Sequence, residues 1–194
     1  MFNSEFNSNL DKEIQCTGVG GRATSFSYTI PYSNTIIAIC VYDNNAGTPT
    51  CTCDNNNVIL IGSHKNSGTN CFIFKATNLV NTSVTFTFDS IADAPMYVCV
   101  AYEGTATQID TTLTASGTLN STFGIIFGMR DVGASAYPVI TYDSSCTLIS
   151  AACKYQSTAG HYNRAMWIEI IKLHTDSIGV NLVVSEKAGC IGLS

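Results

Sequence analysis

The stretch Thr82–Gly104, TSVTFTFDSIADAPMYVCVAYEG, decides the fold class. In its first run Val84, Phe86 and Phe88 alternate with Thr85 and Thr87. That period of two belongs to a strand with one face on a core and the other toward water. The second run, MYVCVAY (96–102), is apolar at every position. Such continuity predicts a strand covered on both faces. Between them DSIADAP (89–95) is too long for a tight hairpin and predicts a crossover or a wide loop.

The same reading extends outward in both directions. Upstream, SFSYTI (25–30) places Phe26, Tyr28 and Ile30 on one face and Ser and Thr on the other. Pro31, Ser33 and Asn34 then turn the chain. TIIAICVY (35–42) is apolar on both faces, as a central strand should be. DNNAGTP (43–49) reads as a loop, and TCTC, DNNN and VILIGS in succession read as a hairpin with Asn in the left-handed turn positions. TNCFIFKA (69–76) is the next strand.

Downstream, the Thr-rich stretch TATQIDTTLTASGTLN (105–120) is polar and carries no strand pattern. Strands are predicted at 121–129, 137–142, 147–155, 166–174 and 177–184. AACKYQSTAG (151–160) tolerates a helix best, and RAMWIEIIKLH (164–174) could be drawn as an amphipathic one. Trp167, Ile168, Ile170 and Ile171 favour a strand there. About eleven strands at intervals of roughly 10 to 17 residues predict an all-β, antiparallel β-sandwich.

Residues 1–23 differ from the rest. FNSEFNSNL repeats Phe-Asn-Ser, and GVGG (18–21) has the composition of a flexible joint. An extended N-terminal arm over 1–23 followed by one sandwich domain over 24–194 is the expected organisation. The first fifteen residues have neither a basic start nor an apolar run, so they do not read as a signal peptide.

Composition narrows the function classes. At 194 residues the chain can bury roughly 70% of the surface its unfolded form exposes. Charged residues make up 12%, about half of the usual ~25%, and Asn, Ser and Thr supply the missing polarity. A neutral surface of short side chains suits contact with partners, because burying Thr or Asn costs less than burying Lys or Glu. The net charge is −5, and Arg22, Arg130 and Arg164 stand far apart, which argues against nucleic-acid binding. No window approaches the ~20 apolar residues of a membrane span.

Nine cysteines, Cys16, Cys40, Cys51, Cys53, Cys71, Cys99, Cys146, Cys153 and Cys190, cannot all pair within one chain. Cys40 and Cys99 lie inside apolar strands, where a thiol acts as a small hydrophobe. Mostly reduced thiols made in a cytoplasm are expected. The alternative is a few surface disulfides, with Cys146 and Cys153 as the local pair.

Site chemistry is sparse. None of His64, His161 and His174 has a partner at metal-ligand spacing. Cys51 and Cys53 form Cys-x-Cys, but two further zinc ligands are not evident. Asp43-Asn44-Asn45 and Asp54–Asn57 are oxygen-rich, yet lack the acidic offsets and distal Glu of a helix-loop-helix calcium loop, and read as turns. No Gly-x-Ser-x-Gly occurs, no Cys has an evident His, and the acids are scattered singly. The sequons at Asn81 and Asn120 are what an Asn- and Thr-rich chain produces by chance. Tyr32, Tyr137 and Tyr162 could stack on sugars or pack on turns. No catalytic, cofactor-binding or metal-binding residue is assigned, and no cofactor is expected.

The order of these pieces resembles a recurring jelly-roll-like β-sandwich module of phage virion proteins and bacterial surface proteins. The resemblance runs over about residues 24–174. SFSYTIP, NTIIAICVY, PTCTCDNNNVILIGS, NCFIFKATNL, TSVTFTF, MYVCVAYEG and the Trp-bearing AMWIEIIK carry it. Asn55–Asn57 stand where the module commonly has Gly. The resemblance implies a non-enzymatic virion structural protein, made in a host cytoplasm and assembled on the particle surface. Its nearest expected role is a capsid decoration or cement protein that bridges major capsid protein subunits, itself a homo-oligomer with a trimer favoured. The alternative is a carbohydrate-binding or adhesive domain of a phage fibre or bacterial surface.

Overall fold

The computed structural model describes residues 16–30, 32–41, 47–54, 56–66, 69–81, 83–89, 95–102, 108–112, 116–119, 123–132, 140–142, 146–156, 163–173, 178–182 and 187–193. These residues are all-β, with strands and no helix, and the strand pairings are antiparallel.

The first nine strands are β1 (Cys16–Arg22), β2 (Ser25–Thr29), β3 (Asn34–Val41), β4 (Thr50–Cys53), β5 (Asn56–Asn57), β6 (Ile59–Asn66), β7 (Thr69–Ala76), β8 (Ser83–Asp89) and β9 (Met96–Tyr102). They form two sheets, in the orders β1-β9-β3-β7-β6 and β2-β8-β4-β5. The pairs β1–β9, β2–β8 and β3–β7 nest inside one another, so the chain behaves as one long antiparallel ribbon wound across both layers.

The two sheets face each other across an aromatic core. Phe26 of the second sheet stacks on Tyr97 of the first, with ring centroids 3.8 Å apart. Phe74 of the first sheet meets Phe88 of the second at 6.3 Å. Phe26 also lies 5.4 Å from Phe86 on the neighbouring strand. Stacked and tilted rings of this kind combine large area burial with favourable quadrupole geometry.

Sequence periodicity accounts for much of this. Along β8, Val84, Phe86 and Phe88 are buried while Ser83, Thr85 and Asp89 are exposed, as the alternation predicts. β2 follows the same rule, with Ser25, Ser27 and Thr29 exposed and Phe26 buried. β3 is the middle strand of the five-stranded sheet, and β9 is buried at all seven positions. β8 and β9 belong to different sheets, and residues 90–94 of DSIADAP lie outside the described residues.

Three local outcomes differ from the expected ones. Residues 16–22, inside the expected arm, form β1 and pair with β9 over Cys16↔Tyr102 to Arg22↔Met96. Their glycines do not prevent this, because β9 offers a complete ladder edge. Residues 1–15 lie outside the described residues. The hairpin after TCTC is also shorter than expected. Only Asn56–Asn57 pair with β4, Val58 N–H donates to the Cys51 carbonyl at 2.9 Å, and β6 then crosses to the other sheet to pair with β7. The described left-handed residue of that turn is Asp54, at φ 48°.

The second half contributes β10 (Gln108–Thr112), β11 (Ser116–Leu119), β12 (Phe123–Val132), β13 (Ile140–Tyr142), β14 (Cys146–Gln156), β15 (Asn163–Leu173), β16 (Ile178–Leu182) and β17 (Lys187–Leu193). The Trp-bearing segment is a strand, as its β-branched content predicts. β10 and β11 fall in the Thr-rich stretch that had no strand pattern. The strand orders are β10-β17-β12-β15-β14 and β11-β16-β13.

The halves meet sheet on sheet. β1 lies against β14, β9 against β15 and β7 against β17. Because Tyr97 points at Phe26, its neighbours Met96, Val98, Val100 and Tyr102 point to the opposite face. All four are fully buried, as are Ile36, Ala38 and Ile73, which the register places on that same face. Ile125 and Phe127 of β12 belong to the same buried cluster. Coverage from both sides is why MYVCVAY is apolar at every position.

Candidate attachment cleft

Among the described residues, a cleft lies where β4, β5, β6 and the segment 77–81 converge. It has a volume of about 300 Å³ and is lined by Cys53, Asp54, Asn56, Lys75, Asn78 and Asn81, with Val58, Ile59, Leu79 and Val80 completing its walls. The residues come from distant parts of the chain. β8 brings Asp54 beside Thr85, and the β6–β7 ladder sets Ile59 opposite Lys75.

Asp54 organises the polar side. Its carboxylate Oδ1 accepts from Thr85 N–H at 2.7 Å, and its own N–H donates to the Thr85 carbonyl at 2.9 Å. Asn81 Nδ2 donates to Asp54 Oδ2 at 3.4 Å, and Asn56 Nδ2 donates to the Asp54 carbonyl at 3.4 Å. A short carboxylate–amide bond of this kind is stronger than a neutral one. Asn78 adopts φ 58°, a left-handed conformation that Asn tolerates better than most residues. Leu79 N–H then anchors the segment to the Ser33 carbonyl at 2.9 Å.

The rim is apolar and open. Its Val80 is 91% exposed and its Ile59 62%; with Leu60, which lies outside the cleft, they are the large hydrophobics that stand out among the described residues. Elsewhere on the second sheet the outer face is hydroxyl-covered. Ser25 and Thr87, and Ser27 and Thr85, hydrogen-bond to each other at 3.1 Å.

Nucleophilic chemistry does not fit this cleft. The Cys53 thiol is pushed up to about 11 by burial and by the Asp54 charge. The Cys51 thiol is pushed up to about 12 by burial, with Cys53 and Asp89 adding to it. A thiolate is the reactive form, so both stay protonated and inert near neutrality. The described lining carries no histidine to act as a base. Among the described residues no three His, Cys, Asp or Glu side chains group as metal ligands.

The residues singled out from sequence disperse. Cys51 and Cys53 both face the core, as their alternate spacing requires, and Cys16, Cys51, Cys53, Cys71 and Cys99 are thiols. Cys146 and Cys153 lie on the single strand β14. Seven residues of extended chain span about 23 Å, far beyond disulfide reach, so that local pairing is excluded by the strand. His64 sits on β6 opposite Cys71 in the ladder. Tyr32 is packed against the core and not held out for a sugar ring. Asn81 of the first sequon is exposed. His161, His174, Asp43–Asn45, Asn120, Tyr137 and Tyr162 lie outside the described residues.

Sequence reasoning read Asp54–Asn57 as a plain turn and gave no role to Lys75, Asn78 or Val80. Val80 was the available signal, an apolar residue beside Leu79 with polar residues on either side in TNLVNT. Among the described residues no helix is long and apolar enough to cross a membrane. Comparison with protein-family models, with curated proteins and with solved structures finds no match.

Proposed function

We propose that this chain is a non-enzymatic structural protein of a virion, a decoration or cement protein that fastens to major capsid protein subunits through the cleft and its apolar rim. Residues 16–102 are, in this reading, a jelly-roll. The nested pairs β1–β9, β2–β8 and β3–β7, with β4–β5 closing the roll and β6 added at an edge, support it.

One observation carries the functional reading. Val80 and Ile59 stand out in solvent beside a cleft in which the Asp54, Asn56 and Asn81 side chains are held by hydrogen bonds to one another or to the backbone. Apolar groups exposed on a rigid rim gain most by being covered, and committed polar groups cost little to bury. Attachment then stabilises the shell by mass action, since anything that binds only the assembled state shifts the balance toward it. Assembly of the chain as a homo-oligomer, a trimer in particular, multiplies weak contacts of this size. The chain is made in the host cytoplasm and joins the particle from outside.

Quantifying the chain in purified particles tests this. A copy number near that of the main shell subunit is expected, and the double variant Ile59→Asp, Val80→Asp should lower it at least tenfold. Absence from particles, or glycan binding without shell binding, defeats the proposal.

A further inference from the structure

The two halves of the chain share one strand order. Replacing β1, β2, β3, β4, β6, β7, β8 and β9 by β10, β11, β12, β13, β14, β15, β16 and β17 converts β1-β9-β3-β7-β6 into β10-β17-β12-β15-β14 and β2-β8-β4 into β11-β16-β13. β5, two residues long, has no counterpart. The registers agree as well. Ile36 opposes Val100 and Ile37 opposes Cys99, while Ile125 opposes Ile191 and Ile126 opposes Cys190. Cysteine is the fourth of seven residues in both β9 and β17.

Other pairs repeat the match. Cys51 and Cys53 oppose Phe88 and Phe86, as Ile140 and Tyr142 oppose Leu182 and Val180. β6 breaks register after Leu60, opposite Phe74, and β14 breaks register after Ala151, opposite Glu169, the residue equivalent to Phe74. These equivalences set PTCTCD (49–54) over PVITYD (138–143) in sequence.

We infer that the chain is an internal duplication, two copies of one module at 16–102 and 108–193, docked face to face about a pseudo-two-fold axis. The docking surface is the face of the first sheet that carries Val98 and Val100, and its partner is the equivalent sheet of the second copy. This replaces a single sandwich over 24–194 and stands apart from the attachment role. The central contacts obey the symmetry, while at the sheet edges β1 lies against β14 without an equivalent approach of β10 to β6. β9 lies against β15 and β7 against β17, and the equivalence that turns β9 into β17 turns β15 into β7. A two-fold axis requires that exchange.

Near the axis the copies have diverged. Ala38 and Phe127 hold equivalent positions, and both are fully buried. A second phenyl on this buried face would crowd it, so each copy takes the other and not a second of its own kind.

The test uses the full chain with a protease site inserted between Tyr102 and Gln108. After cleavage the two pieces should elute together from a sizing column at the size of the intact chain, with an unchanged far-ultraviolet spectrum. Ala38→Phe in the same cleavable chain should cause them to separate. Separation or aggregation of the cleaved parent chain overturns the inference. Unchanged co-elution of the Ala38→Phe pieces overturns the assignment of that face. If Ala38→Phe fails to fold, the parent chain alone decides.

Discussion

At the residue scale, Asp54 joins a strained backbone to a useful side chain. Its φ of 48° lies where a side chain costs about 1–2 kcal/mol and glycine costs nothing. Its carboxylate repays this through the 2.7 Å bond from Thr85 N–H. Asp54→Ala and Asp54→Gly lose that bond equally but differ in backbone strain. Chemical denaturation should therefore find Asp54→Ala the less stable by about 1 kcal/mol, and equal losses would remove strain from the account. The buried thiols give a second prediction. Raised pKa values mean that the folded chain holds these protons more tightly than the unfolded one. The associated stability is present in full below pH 9 and declines as pH climbs toward 12. Tyr102, pushed up to about 12 mainly by burial, adds to the loss only above its ordinary value of 10. Between pH 9 and 10 the denaturation midpoint should fall for the natural chain, and fall less for Cys51→Val, Cys53→Val. Equal declines would mean that other groups govern that window. Little of the cleft was legible at this scale. Asp54, Lys75 and Val80 are separated in sequence, and only the pairing of β4 with β8 and of β6 with β7 unites their neighbourhoods.

At the element scale, legibility followed the number of faces that carry a pattern. β8 alternates because one of its faces meets water, and β9 does not because neither does. Both were readable from side chains alone. β1, β10 and β11 were not. Their Gly- and Thr-rich residues hold no alternation, and partner strands with open ladders recruit them. The glycines of β1 have a role that sequence could not reveal. A Cβ on Gly21 would come within 2.7 Å of the Tyr97 hydroxyl, whose ring is sandwiched by the 3.8 Å stack on Phe26. Gly21→Ala should cost about 1–3 kcal/mol by forcing that ring aside. Pairing the variant with Tyr97→Phe should recover part of the loss, and a fully additive result would show that the ring is not the obstacle. β8 offers the sharper contrast. Phe86→Ala should cost about 3–5 kcal/mol as a buried aromatic truncation, while Thr87→Ala, two atoms removed on the opposite face, should stay within about 0.5 kcal/mol.

At the scale of the whole molecule, the fold class was legible and the count of layers was not. Strand rhythm announces an all-β chain, but nothing in MYVCVAY states whether its second face meets a neighbour in the same module or a different one. The contact of β9 with β15 answers that, and it has an energetic consequence. Val98, Val100, Met96 and Ile36 would all be stripped of cover if the second half melted alone. Re-exposing side chains of this size costs on the order of 1.5–3 kcal/mol each, so a state with one half folded lies well above both end states. The halves should therefore unfold together although each has its own sheets. Scanning calorimetry should give one endotherm whose calorimetric and van't Hoff enthalpies agree. A charge placed on the shared face, as in Val98→Asp, should lower that single transition as a whole, because a carboxylate buried there must give up its hydration. Two resolved endotherms in the natural chain, with Val98→Asp moving only one of them, would mean that the halves are neighbours without being thermodynamically joined.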